Sequence, residues 1–431
     1  MIRFLLLFIN IIVFSFSCLS DTIIEDAEIN NVIKKIAAPI LKVANLNKVE
    51  ILLINNNDIN AYARVDNKIF IYSGLIKSFP DPEILRGVIS HEVGHISSKH
   101  VVKTIDAAQN YSLLTLSSVI GAIAASVITK SSELPLSMML SAQEYVRKSL
   151  LKFSRSCEFA ADNVALSMLE QAGYSSIGLV KLLENFNNQI LPSDVNLYEQ
   201  THPPSRERLK IVKNFYNNSK CKNNLSSESM VRDYKRAAAK LEAYTESIDI
   251  VLKKYNKVKL NQDLRKYIET IIYFRQGKTK QALKNIHYLT QKFSLDPYYW
   301  ELQGDILFQD GDKRAVNSYD KALEILGDDD LIKLSRAISA ITLYPKNAIP
   351  KKYFLDITEL SSKIHDATVF YFISLYHEKM GNKAKSLVAA AIFCKKVGYI
   401  EKAKQLAKMA IKQLEPKTVD WYKAQDLIFD K

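Results

Sequence analysis

The chain reads as two folds in series: an α+β N-terminal domain, mostly helical with a small sheet, followed by an all-α solenoid of helix pairs. Three observations predict this. Ile69-Phe70-Ile71-Tyr72 alternates β-branched with aromatic side chains, as a strand does. Soon afterwards apolar residues recur with helical spacing at Ile84, Leu85, Val88, Ile89, Val93 and Ile96, which predicts a helix with one buried face. Beyond residue 225 the pattern is almost continuously helical, with glycine and alanine at repeating distances. Residues 217–227 are polar apart from Cys221 and Leu225 and read as a linker between the two. A chain of 431 residues, 48 % apolar and with only 11 prolines, has enough core-forming material for two compact domains. The expected divisions are residues 1–20, 21–224 and 225–431.

The first of these reads as a signal peptide. Met1-Ile2-Arg3 is a short basic start, and the largely apolar run over residues 4–16 is too short to span a bilayer comfortably. Ser15, Ser17, Cys18 and Ser20 offer small residues for cleavage, and acidic residues begin at Asp21. A retained anchor and lipidation of Cys18 are the alternatives. Cleavage after Ser20 leaves Cys157, Cys221 and Cys394, an odd number, so at least one thiol stays unpaired within the chain or pairs with another molecule.

His91-Glu92-Val93-Gly94-His95 lies within the predicted helix. With seven histidines in the chain, a chance His-Glu-x-x-His has odds of roughly 0.5 %. Four helical residues turn ~400°, so both imidazoles leave one face about a turn apart and can take neighbouring corners of a tetrahedral zinc site. Glu92 then stands beside the metal as a candidate base. A catalytic zinc needs a third protein ligand. His100, at +5 from His95, turns ~500° on a continued helix and faces away. Glu158 is the better candidate. It precedes Ala160-Ala161, small enough for close helix approach, and Asp162 one turn on can accept a hydrogen bond from a ligand histidine.

The combination of His91-Glu-x-x-His95 with Glu158-x-x-x-Asp162 resembles the gluzincin arrangement of the peptidase family that includes HtpX and the CaaX prenyl proteases. Three other stretches carry the same resemblance: Asn60-Ala61-Tyr62-Ala63 with Ile69–Leu75 as a strand pair, Arg155 before the third ligand, and Thr201-His202-Pro203-Pro204-Ser205-Arg206-Glu207-Arg208. Together they cover about residues 30 to 217. The resemblance implies a zincin-like domain that hydrolyses peptide bonds, with one Zn2+ on His91, His95 and Glu158 and with Asp162 behind them. Glu92 would serve as general base, and His202 and Arg208 as the candidates for stabilising the oxyanion. It also implies that His202 can occupy the open position on zinc and hold the protease latent. Residues 69–72 suit an edge strand to which an unfolded client could add in extended form.

Residues 111–129 carry no charge, and six Ser/Thr dilute their hydrophobicity. Completed by residues 134–145, they read as a helical hairpin that covers the metal or touches a membrane peripherally; a true span is the alternative.

Tetratricopeptide spacing appears three times in the C-terminal half. Ala389, Ala390, Phe393, Gly398, Ala403, Ala407, Ala410 and Pro416 form the clearest copy. Trp300, Gly304, Gly311, Ala315, Tyr319 and Ala322 form a second, and Tyr273, Gly277 and Ala282 begin a third. Basic charge concentrates here too, with 36 Lys/Arg against 26 Asp/Glu over residues 225–431. No nucleic-acid-binding motif accompanies it, so nucleic acid is excluded as the expected partner. An anionic membrane surface or acidic patches on a client are the expected attractors, a solvated lysine-rich surface the alternative. Among members of the resembled family, export and repeats together imply a periplasmic protease, with a chaperone-like role, for misassembled outer-membrane proteins. Its repeats would engage the barrel-assembly machinery or a stalled client. A repeat-based adaptor with a latent protease is the second reading, and a membrane-embedded protease the third.

Overall fold

The computed structural model describes residues 22–100, 103, 154–188, 202–203, 205–258, 260–364 and 366–429. The expected leader (1–20) and the hairpin expected at 111–145 lie outside the described residues. Chain contacts divide the protein into two units that meet at residues 245 and 246.

The N-terminal unit is α+β. Strands β1 (Thr22–Ile24), β2 (Glu50–Asn55), β3 (Ala61–Ala63) and β4 (Lys68–Tyr72) form a four-stranded mixed sheet in the order β1-β2-β4-β3. β4 pairs parallel with β2 and antiparallel with β3. The expectation of an edge strand at 69–72 is therefore corrected: β4 is internal, and the edges are β1 and β3. The cause is two-sided burial. Ile69 and Ile71 enter the main core, while Phe70 and Tyr72 pack with Ile54 and Tyr62 on the opposite face.

Helix α1 (Ala27–Val43) starts at Asp26, whose side chain accepts from the Ile29 amide. It buries Ile29, Val32, Ile33, Ile36 and Ile40 at helical spacing. After the short α2 (Ser73–Ser78), helix α3 (Pro82–Ser97) opens with Asp81 as N-cap and Pro82 in its first turn. Residues 82–95 are all buried, so α3 is central, not one-faced as its periodicity suggests. A second helix, α4, covers residues 154–171, and α5 (Ile177–Asn188) follows it. α5 crosses α3 so closely that a Cβ on Gly178 would lie 1.8 Å from the Glu83 carbonyl oxygen. Helix α6 (Arg206–Asn218) begins at Ser205, which accepts from the Arg208 amide.

The presumed linker is a bonded strap on this unit. The Lys222 carbonyl accepts from Ser175 Oγ at 2.7 Å, and the Asn224 carbonyl from the Ser175 amide at 2.9 Å. Glu170 takes the Ser219 hydroxyl and the Lys220 amide. Arg86, on α3, bonds Glu83 and Ser226 and lies 3.9 Å over the Tyr174 ring. Helix α7 (Glu228–Thr245), beyond the expected boundary at 224, also belongs here. Its Tyr234, Ala237, Ala238 and Leu241 join the core, and its Arg236 and Lys240 reach the fully buried Glu28 on α1.

The C-terminal unit is all-helical: α8 (Ile248–Lys257), α9 (Gln262–Arg275), α10 (Thr279–Lys292), α11 (Pro297–Gln309), α12 (Arg314–Leu326), α13 (Asp330–Leu343), α14 (Lys351–Leu360), α15 (Thr368–Lys379), α16 (Lys383–Lys396), α17 (Ile400–Ile411) and α18 (Val419–Phe429). From α9 onward, helices neighbouring in sequence pack on one another, as in a helical repeat region. Ala282, Ala315, Ala322, Ala403, Ala407 and Ala410 are buried between them. Gly304 lies under the Tyr319 ring; a Cβ there would stand 2.7 Å from Cε1. The Cys157, Cys221 and Cys394 thiols form no disulfide. Among the described residues no helix is long and apolar enough to cross a membrane.

The contact boundary predicts the stability of fragments. A fragment ending at 224 loses the burial of Tyr234 and Leu241, about 1.5–3 kcal/mol each, and leaves Glu28 without two cationic partners, which costs a further ~3–5 kcal/mol. It should unfold at much lower urea than one ending at 245. Equal midpoints would return α7 to the other unit.

Candidate metal centre

Two helices carry the centre, and small residues let them meet. α3 presents His91, Glu92 and His95, and α4 presents Glu158 and Asp162 one turn apart. They touch at Gly94, where a Cβ would stand 2.7 Å from the Ala161 carbonyl oxygen and 3.2 Å from its Cα. Backbone atoms cannot give way as a flexible side chain can, so this approach requires glycine. Ala160-Ala161 was legible as a close-approach signal; Gly94, in a variable position of the motif, was not assigned.

The side chains converge. His91 Nε2 lies 3.1 Å from His95 Nε2 and 3.2 Å from Glu158 Oε2, and His95 Nε2 lies 3.3 Å from Glu158 Oε1. His202 Nδ1 stands 3.3 Å from His91 Nε2 and 3.2 Å from both Glu158 oxygens. One ligand atom from each of these four buried residues lies within 4.8 Å of the others. Ligands about 2.0–2.1 Å from a tetrahedral ion are roughly 3.3 Å apart, so the separations fit one divalent metal. Three imidazoles and one carboxylate, without thiolate, are donors typical of zinc. Sequence reasoning expected His202 at the site, and the structure places it as a fourth donor.

The electrostatics of the site suits a cation. Burial works against a proton on His91, but Asp162, with Oδ1 2.9 Å from Nδ1, and Glu158 outweigh it and raise the imidazole to about 10. Burial carries His95 the other way, to about 3, with His91 and His202 adding to the effect and Glu158 opposing it. Burial would push the Glu158 carboxyl up, yet hydrogen bonds from His202, His91 and His95 hold it well below the usual carboxylate range. The proton held at His91 is the kind that a bound metal displaces.

Glu92 is fully buried, with the Ala63 backbone beside its carboxylate. Burial lifts its carboxyl above the ordinary range, with His202 and His91 opposing. Its Oε1 lies 3.5 Å from His202 Nε2, so His202 stands between Glu92 and the donor set. A fully buried carboxylate with so few partners is costly. Beside a metal centre it is the expected state of a group awaiting a proton.

Arg208 is not arranged as an oxyanion donor. Its Nε and Nη2 fork onto Asp162 at 2.7 and 2.9 Å, and Nη1 reaches Glu158 Oε2 at 2.9 Å and the Pro203 carbonyl at 3.2 Å. The Ser205 cap aims the first turn of α6 so that the guanidinium lies behind the ligands. Burial would raise the Asp162 carboxyl, but hydrogen bonds from His91 and then Arg208 hold it down at about 2. Asp162 takes the place expected of it behind His91. His100 corrects the sequence expectation. It does not face away: its Nδ1 lies 3.2 Å from His95 Nδ1. The helical count fails because α3 ends at Ser97 and Lys99 adopts a positive φ of 53°, turning the chain back.

If Arg208 aligns both carboxylates, Arg208→Lys should weaken metal binding by roughly 10- to 100-fold, because a point charge cannot fork onto Asp162 while reaching Glu158. Chelator competition measures this. Wild-type affinity in the variant would refute it.

Comparison with known proteins agrees with this geometry. The description of peptidase family M48 matches residues 24–215. The beta-barrel assembly-enhancing protease of Yersinia pestis is 23 % identical over 307 residues, which are 68 % of this chain and 62 % of that protein. The protein of that name from Escherichia coli (strain K12) is 24 % identical over 201 residues, 45 % of this chain and 40 % of its own length. Metalloprotease YcaL of the same organism is 29 % identical over 157 residues, 36 % of this chain and 58 % of its own. The chain thus spans less than two thirds of the length of the relatives it matches. The match and the four-donor cluster coincide in one region: residues 24–215 are similar to peptidase family M48 and carry the donors of a metal centre.

Proposed function

We propose that this chain is a zinc-dependent endopeptidase acting on unfolded or misassembled envelope proteins in the periplasm. The observation that carries the reading is the fully buried Glu92 beside the four converging donors. His91, His95 and Glu158 would hold the ion, with His202 as the exchangeable fourth donor. When bound, zinc supplies Lewis acidity and lowers the pKa of a coordinated water towards neutrality. Glu92 takes the attacking water's proton and delivers it to the leaving amine. Its raised pKa suits the first step, since a carboxylate that holds protons more readily is the stronger base. Asp162 orients His91 through its Nδ1, and Arg208 holds the Asp162 and Glu158 carboxylates in place. With Arg208 turned away, His202 remains the candidate for the oxyanion. An extended client adds to β3, the sheet edge whose Ala63 backbone lies beside Glu92.

The helical unit serves, in this reading, as a tetratricopeptide-repeat domain that presents clients or engages the barrel-assembly machinery. Two relatives are named for enhancing β-barrel assembly, which supports the assignment. Export through the 1–20 leader, peripheral membrane contact through 111–145 and a chaperone-like contribution complete the proposal.

One observation favours a second reading, a repeat-based adaptor of barrel assembly whose protease is normally latent. His202 lies between Glu92 and the other donors, in the space that an attacking water needs.

Two substitutions separate these readings. Glu92→Gln should keep one zinc per chain and lose roughly 10²- to 10⁴-fold in casein cleavage; undiminished cleavage would remove Glu92 from the chemistry. If function in cells survives that loss, the adaptor reading stands. In the latent reading, His202→Ala should retain zinc on three ligands and cleave casein faster than the wild type. A slower variant would make His202 a participant instead of a block.

A further inference from the structure

The two histidines of the α3 motif are backed by unlike groups. Each presents Nε2 to the donor cluster, as their 3.1 Å separation shows, and so turns Nδ1 outward. His91 Nδ1 meets the Asp162 carboxylate at 2.9 Å. His95 Nδ1 meets His100 Nδ1 at 3.2 Å, with the two rings edge to face at an interplanar angle of 73°. His100 is buried, at 6 % exposure. Its approach depends on the turn that closes α3: Ser98 caps the helix onto Gly94 and Ile96, and Lys99 takes a left-handed conformation that a residue with a side chain seldom adopts. The backbone is bent into an uncommon state, and the result is a second imidazole against His95.

We propose that His100 is a positioning residue for His95, accepting its Nδ1–H and so fixing the ring orientation and tautomer that leave Nε2 for the metal. The inference rests on the zinc reading above. An imidazole bound to metal through Nε2 carries its proton on Nδ1, and that proton needs an acceptor in a buried place. Only a neutral His100 with its own proton on Nε2 offers a lone pair at Nδ1. The centre is therefore asymmetric: His91 is backed by an anion and is the more basic ligand, while His95 is backed by a neutral ring.

The test uses the full-length chain loaded with zinc or cobalt. His100→Ala should bind zinc roughly 10- to 100-fold more weakly in chelator competition and shift the visible absorption of the cobalt form. His100→Asn, whose Oδ1 can accept where Nδ1 did, should recover most of the affinity and the wild-type spectrum. Two-bond 1H–15N spectra of the zinc-loaded wild type should show the proton on Nδ1 of His95 and on Nε2 of His100. Wild-type zinc affinity in His100→Ala, an Asn variant as weak as the Ala variant, or a His100 proton on Nδ1 would each overturn the assignment. A wild-type chain that binds no zinc would overturn the zinc reading with it, whereas tight zinc binding unaffected by His100→Ala would remove only the positioning role.

Discussion

Glu158 is an anion at 3 % exposure, and the arrangement of the N-terminal unit follows from keeping it charged. A buried carboxylate left alone takes up a proton or destabilises the fold. Here His91, His95 and His202 approach it from α3 and from the segment before α6, and Arg208 reaches it from α6 itself. Those contacts require α3 and α4 to touch, hence Gly94 against Ala161. They require α6 to start where it does, hence the Ser205 cap. Asp162 extends the same logic one turn along α4, tying His91 to Arg208. Donors, second carboxylate and guanidinium form one charge-balanced network, which is why they fall on three separate stretches of chain.

That network sits on a scaffold with buried ionic braces of its own. Glu28 holds Arg236 and Lys240, and Glu83 with Arg86 holds the strap through Ser226. Each brace fastens a segment that follows the peptidase helices in sequence back onto α1 or the start of α3. The helix with the metal motif is thus gripped at its first turns by the strap and along its length by α5, where Gly178 permits backbone contact. Rigidity at α3 matters because an imidazole misplaced by an ångström loses its ion. The C-terminal unit is held differently, by small residues between consecutive helices and by Gly277, Gly311, Gly381 and Gly398 at positive φ in the turns. Such stacking is local, and each helix depends mainly on its neighbours.

Much of this was legible in the chain. The i, i+4 histidines declare a shared helix face, and Glu158 with Asp162 declares another, because helical geometry is set by local bonding. The alternation at 69–72 declared a strand, and the Gly/Ala spacing declared paired helices, for the same reason. What escaped were facts that depend on neighbours distant in sequence. Strand order made β3 an edge, since alternation reports how a strand is pleated and not which side it is paired on. The polar composition of 217–227 was that of a linker, but its hydrogen bonds go to Glu170, Ser175, Arg86 and Glu83, none of them near it in the chain.

The sequence alone therefore determined the chemistry, because two histidines and a glutamate on one helical turn admit few other uses. The tertiary structure decided how that chemistry is arranged. It turned Arg208 from a donor for substrate into a support for Glu158, because α6 approaches from behind the ligands. It returned His100 to His95, because α3 stops two residues before a left-handed turn. It also set His202 between Glu92 and the other donors, a placement that depends on where α6 begins in space and on nothing that spacing along the chain can express.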